Sequence, residues 1–529
     1  MTTDFKANTT IRRAVTARAL ALLASVALLL VACGQPASIT LTLDTASVEL
    51  IRGSQVDIEV TLVRSGSASA DVVLSATGLP ANVTASFAPG RLVAGATAST
   101  LTLTAGAGAS DGQVTVTVSG AANGLVATAD LELEVTSLSV TGTMLDLLGT
   151  PVTGVAVSSQ GDVDITDADG EFTLTGLSLP YEIASYALLP SPWYHVFENL
   201  TETDPVLFPI GGVTPTGTPR TAPLSGQFVG ANIPVAANQL VLVCIEGLDA
   251  VAFACTQANP GASSYNLSVQ WLTSTTRDVR VHAIQLQHDA GGHPVAYLGY
   301  GTAEMTLTNG VANVGDIALG DPLTSTPLQF DVDAGTGTLQ TVMVSMALSP
   351  EFTISVITDS SGDASYDVLV PVIPGAVVGV TAQAGPDLRF ATVMGAATAG
   401  ATVQVPDPVS QLTPADATVG VTIATDFSVA DAVGGELTYL WQGAVLYALT
   451  TNRTSVTIPD GSAVGMALPA AQAMSWQVME AAVDPSAEVG HGLGMYAGLF
   501  VSMILGSTAD TLSDGSMTLS PSLAFTTAP

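Results

Sequence analysis

Along most of the chain, apolar and polar residues alternate one for one. Ile39 to Leu43 reads Ile-Thr-Leu-Thr-Leu and Val56 to Leu62 reads Val-Asp-Ile-Glu-Val-Thr-Leu. Leu101 to Thr104, Val114 to Val118 and Leu131 to Val135 repeat the pattern. Successive side chains on a strand point to opposite faces, so a period of two predicts strands with one buried and one wetted face. The runs are short and end at Gly, Pro, Asp or Ser. Thr and Val, which suit a pleated surface, are abundant. This spacing predicts an all-β chain of tandem β-sandwiches and argues against parallel sheets wrapped in helices.

The first residues break the pattern. Lys6, Arg12, Arg13 and Arg18 stand against one acid, Asp4, and Ala19 to Ala32 carries no charge. A basic start followed by a short apolar core is a secretion signal. The core is shorter than the roughly 20 residues that cross a bilayer. It closes on Leu30-Val-Ala-Cys33-Gly34, which resembles the bacterial lipobox: a Leu, two small or apolar residues, then Cys. The resemblance implies a signal peptide over residues 1–32, cut before Cys33, and a diacylglycerol on the Cys33 sulfur. Residues 33–37 become a lipid-anchored linker. Two or three acyl chains hold a protein on a membrane where one is marginal. With Gly34 rather than Asp after the cysteine, the implied location is extracytoplasmic, on the outer membrane or the cell surface.

Removing that signal changes the charge. It takes four of the 12 basic residues and one of the 45 acids, leaving eight arginines, no lysine and a net charge of 8 − 44 = −36. Such a surface repels phosphate backbones, so nucleic acid is excluded as a partner. It repels anionic lipid head groups too, so the lipid on Cys33 must do the anchoring. Strong like charge also favours a monomer. Two cysteines remain, Cys244 and Cys255, in two apolar runs around a Glu-Gly-Leu-Asp turn. Outside the cytoplasm a disulfide persists, and a bridge across this hairpin is expected. A metal site there lacks further ligands.

Residues 38–136 hold about seven alternating runs and include Gly78-Leu-Pro-Ala-Asn-Val-Thr-Ala-Ser-Phe87-Ala-Pro89. This resembles bacterial immunoglobulin-like surface modules. Residues 137–209 contain a Pro151-Val-Thr-Gly-Val155 turn, then Thr166-Asp-Ala-Asp-Gly170-Glu-Phe172. They resemble the carboxypeptidase regulatory-like domain, a small prealbumin-like sandwich, which implies an accessory module without catalytic residues, in a fold class that includes glycan-binding members. Residues 210–222 are rich in Gly, Pro and Thr and read as a linker. Three further β units are expected at about 223–320, with the cysteine hairpin, 321–406 and 407–529. The last, with Trp441 and Trp476, resembles fibronectin type III-like modules and gives the tryptophans a core role.

Candidate chemistry is sparse. Gly108-Ala-Ser110-Asp-Gly112 matches a hydrolase elbow in letters, but it joins two alternating runs, not a buried strand to a helix. The acidic run Asp162, Asp164, Asp167, Asp169 and Glu171 lacks the spacing of a helical calcium loop. His288, Asp289 and His293 flank a Gly-Gly turn, with His282 nearby, and no third fixed ligand is visible for a transition metal. Trp193 and Tyr194, in Pro192-Trp-Tyr-His-Val-Phe197, form the densest aromatic patch in a chain with only 5% aromatic residues. Exposed aromatic faces stack on sugar rings, and buried ones build cores.

These readings lead to a lipid-anchored structural or binding protein, scaffold-like or adhesin-like, without catalytic residues, cofactor or metal. The alternative is a carbohydrate-binding lipoprotein acting through the prealbumin-like module, with Trp193 and Tyr194 exposed. A third reading, an enzyme within residues 210–406, requires His282, His288 or His293 to meet acids in space.

Overall fold

The computed structural model describes residues 36–146, 151–188, 191–209, 218–248, 252–272, 274–349, 352–385, 389–395, 400–432, 435–483, 491–492 and 515–529. Cys33 and the expected signal peptide lie outside the described residues. Those described are strands and connections with one short 3-10 turn, Ser462–Val464. No helix among them is long and apolar enough to cross a membrane. The chain divides into two compact units near Leu138.

The first unit is a sandwich of two antiparallel-rich sheets. One orders Ser38–Leu43, Gln55–Ser65, Ala98–Ala105 and Val83–Ala88. The other orders Ser47–Ile51, Leu125–Thr136, Gly112–Ala122, Val72–Thr77 and Arg91–Leu92. Each alternating run read from the sequence lies inside one of these strands. Its apolar members, among them Leu41, Ile58, Leu101, Val116 and Leu133, form one core between the sheets.

The second unit differs from a simple string of modules. Residues 137–209 do contribute two layers. Glu171–Leu177, Leu138–Met144 and Val206–Phe208 form one. Asp162–Ile165, Ala156–Ser159, Tyr181–Ala187 and Trp193–Leu200 form the other. The first layer needs a glycine at 142, because a Cβ there would lie 2.4 Å from the Phe172 ring. The second layer does not stop at its own module. Trp193–Leu200 pairs in parallel with Leu446–Thr451, whose neighbours are Glu436–Gln442 and Ala473–Val483. Through Gly515–Leu519 the hydrogen bonding then passes to Arg389–Met394, Val377–Gly385, Thr338–Ser349 and Phe352–Asp359. One 14-stranded sheet thus runs through three of the expected modules. Separate sandwiches were expected at 137–209, 321–406 and 407–529; some strands of each share this sheet, while others form smaller sheets.

Smaller sheets cover parts of it. Ser410–Thr413, Phe427–Ala430 and Ser455–Val456 bring Phe427 edge-on to Trp441 and Trp476, at 5.3 and 5.1 Å between centroids. Ser325–Asp333, Ser365–Pro371 and Ala401–Gln404 supply Leu328, Phe330 and Val403 to a core with Val342, Val344 and Val380. Residues 218–320 form an eight-stranded sheet that curls until its ends approach. Ile317–Ala318 pairs with Pro219–Val229, and the Gly320 amide donates to the Tyr300 carbonyl. A side chain at Gly301 would meet the Ala318 oxygen at 2.1 Å, so glycine permits this closure. Val243, Ile245, Val279 and Val281 fill the curl. Cys244, Ile284 and Leu286 on its outer face join the core of the next unit.

Candidate functional site

The strand Trp193–Leu200 carries the aromatic patch, and its alternation separates the two residues that the sequence had grouped. Trp193 is 2% exposed and lies on the inward face with His195 and Phe197, both fully buried. Tyr194 points to the opposite face and is half-buried. The expectation of one exposed Trp193–Tyr194 surface is corrected accordingly: neighbours on a strand cannot share a face. Trp193 belongs to the interior. His195 is held there as a neutral imidazole, its pKa pushed down to about 3 by burial, with Nε2 2.8 Å from the Thr450 hydroxyl.

The outward face holds an aromatic row absent from the sequence reading. Tyr186 pairs with Tyr194, Tyr194 with Tyr447, Tyr447 with Trp441, and Trp441 with Trp476. Tyr447, Trp441 and Trp476 are buried under the sheet that carries Phe427. Tyr186 and Tyr194 are half-buried, with ring centroids 6.2 Å apart and planes tilted by 37°. Towards the sheet edge the row continues through Ala156 to Ile165, which is 60% exposed, and Val163 beside it is 59% exposed. The Tyr194 phenol is pushed up first by burial, then by the charges of Glu182 and Asp460. Glu198, on the same face of its strand, takes a 2.9 Å hydrogen bond from Arg453 Nε. Tyr186 stands alone between Ser185 and Ala187, so only its register with Tyr194 marks it.

Cys244 and Cys255 are joined by a disulfide, directly opposite each other on Gln239–Gly247 and Ala252–Ala258, with Cα atoms 4.2 Å apart. A buried polar cluster lies on that first strand and on its neighbours Thr276–His288 and Pro294–Thr308. Glu246 and His282 are 5% and 4% exposed. Glu246 Oε2 is 2.9 Å from His282 Nε2, and His282 Nδ1 is 2.9 Å from the Tyr300 hydroxyl. Burial lowers the His282 pKa, so the ring is neutral. A carboxylate only accepts, hence Nε2–H donates to Glu246 and Nδ1 accepts from Tyr300. Arg280 bridges Glu246 and Glu304, and Phe352 stacks on the imidazole at 4.8 Å. Every partner is internal, so the arrangement holds strands together.

The other titratable candidates do not join it. His288 Nδ1 donates to the Asp289 carbonyl, and His293 Nε2 lies 4.0 Å from Asp359. Among the described residues no three His, Cys, Asp or Glu are grouped to hold a metal. In the acidic run, Asp164 and Asp162 accept the backbone amides of Thr173 and Thr175, at 2.7 and 2.6 Å. Asp167 accepts those of Asp169 and Glu171. Ser110 lies in the connection between two strands, where Asp111 pairs with Arg52.

No family model and no curated protein matches the chain. Among solved structures it is similar to the Bacillus anthracis TIE protein, at 10% identity and a TM-score of 0.21, over 69% of this chain and 74% of that one. It is also similar to domains 4–9 of the surface-layer protein SbsC, at 11% identity and a TM-score of 0.15, over 83% and 63%. A third is the titin fragment I67–I69, at 9% identity and a TM-score of 0.14, over 69% and 98%. Scores of this size carry no functional argument, and the fold rests on the strands described above.

Proposed function

We propose that this chain is an extracytoplasmic structural protein, tethered by lipid on Cys33, that presents β modules to other molecules in a scaffold-like or adhesin-like role, without chemistry of its own. The observation that supports this most is the sheet of the second unit, whose main-chain hydrogen bonds pass from module to module. Modules joined through a shared sheet move together, which suits a spacer or a presenting platform. The polar clusters that suggested catalysis are spent on internal partners.

Two measurements test this. In a bacterial host the intact chain should fractionate with membranes and carry acyl groups on its first residue, whereas Cys33→Ala should be soluble and unacylated. An intact chain found soluble and unmodified removes the tether. Beads coated with residues 34–529 should then retain purified envelope fractions; failure to retain any removes the adhesin-like role.

A second reading is favoured by one specific observation. The outward face of residues 156–198 leaves Tyr186 and Tyr194 half-buried beside exposed Val163 and Ile165. This supports carbohydrate recognition by the second module, through a different face from the one Trp193 occupies.

A further inference from the structure

Resting on that second reading, we infer that the outward face around Tyr186 and Tyr194 is a binding platform for a neutral polysaccharide, whose pyranose rings lie along the tyrosine row towards Ile165. The face is partly open: Tyr194 packs in part against the core of Phe427 and Trp441, and Tyr186 lies one strand farther out. Phe427 covers Trp441 and Trp476, three and four strands in from Tyr186, whereas the tyrosines at the near end keep part of their rings in water. Two tilted rings 6.2 Å apart form a shallow aromatic cradle, and Ala156 and Ile165 extend it as an aliphatic floor. The C–H faces of a pyranose pack on such a surface, while its hydroxyls remain at the rim.

The rim decides the class of ligand. Glu182 shares its strand and outward face with Tyr186 and is exposed, as is Asp460; the charges of both raise the Tyr194 phenol. Carboxylates accept strong hydrogen bonds from hydroxyl groups. A sugar can therefore replace their water without bringing a positive charge. A protein surface placed here would have to desolvate the same acids, which is costly unless it is strongly basic. A second copy of this chain is disfavoured by its own charge of −33. The same charge disfavours uronic-acid or sulfated polymers, so the neutral class is the one assigned.

The test uses the mature chain without its lipidated cysteine, residues 34–529, titrated calorimetrically with maltohexaose, cellohexaose, xylohexaose and mannohexaose, with polygalacturonate as the anionic control. At least one neutral oligosaccharide should bind saturably, and polygalacturonate should not. Tyr186→Ala and Tyr194→Ala should each weaken that binding by about tenfold. Tyr186→Phe and Tyr194→Phe, which keep the ring, should stay within about threefold. Ile165→Glu, at a position 60% exposed, should weaken binding without altering the unfolding curve. Binding that survives both alanine substitutions overturns the platform while leaving carbohydrate recognition standing elsewhere. No binding by any of the four neutral oligosaccharides overturns both. A native dimer dissociated by Tyr194→Ala assigns the face to a second copy and overturns the platform.

Discussion

In the long sheet of the second unit, nearby strands are covered to different extents on the same face. Around Trp193–Leu200 the inward face holds Trp193, His195 and Phe197, while Tyr194 looks outward. Around Glu436–Gln442 the outward face of that same sheet is buried, and carries Tyr439, Trp441 and, from the next strand, Trp476. The aromatic row Tyr186–Tyr194–Tyr447–Trp441–Trp476 crosses the changeover without a break in register. Identical side-chain types therefore have different fates according to what lies above them. An aromatic residue in a strand is not core or surface by nature; the covering layer decides.

Substitutions at adjacent positions would break the comparison most visibly. Trp193→Ala should cost about 3–5 kcal/mol in denaturant unfolding, as should Trp441→Ala. Tyr194→Ala, one residue along, should cost only about 1–2 kcal/mol, because part of its surface is already wet. Equal losses at Trp193 and Tyr194 would mean that the two faces are covered alike.

Acid sharpens the contrast at His195. Its folded pKa, about 3, lies below the ordinary value of 6.5, so the unfolded chain binds the extra proton. Stability from the neutral ring is present above pH 6.5 and is lost as the pH falls from 6.5 towards 3, by at most about 5 kcal/mol. His195→Gln should flatten that part of the stability–pH curve; a curve unchanged by the substitution would place the imidazole in water. His282 is shifted in the same direction and should leave a residual slope.

A bridge outside this sheet sets the scale. Replacing Cys244 and Cys255 together by Ser should cost about 3 kcal/mol, the value for closing a loop of this length in the chain-entropy model. Differential scanning calorimetry under non-reducing conditions reads it. The smallest effect belongs to the open end of the row: Tyr186→Ala should change stability by less than about 1 kcal/mol. A larger loss would show that some layer covers this ring.

The strands themselves were legible. Val56 to Leu62 alternates in the sequence and lies within Gln55–Ser65, with Ile58, Val60 and Leu62 buried. The hairpin of Cys244 and Cys255 was legible for the same local reason. What alternation cannot convey is the partner of a strand. Trp193 pairs with Leu446 across some 250 residues, in parallel, and no local pattern encodes that register. The site was half legible. The Trp193–Tyr194 patch drew attention to the right strand, and the period of two already implied that only one of the pair could be exposed. Tyr186 needed the register of Tyr181–Ala187 against Trp193–Leu200 before its role emerged.

One detail at the rim of the second module reaches beyond folding. The carboxylates of Asp162 and Asp164 occupy the main-chain amides of Thr173 and Thr175, much as a neighbouring strand's carbonyls would. A strand margin with vacant amides recruits whatever extended segment comes near, including that of a sister molecule. Copies of one protein crowded together meet constantly. With its amides already taken by charged groups, this margin offers an approaching strand neither a donor nor a neutral path, so crowding need not end in fibres.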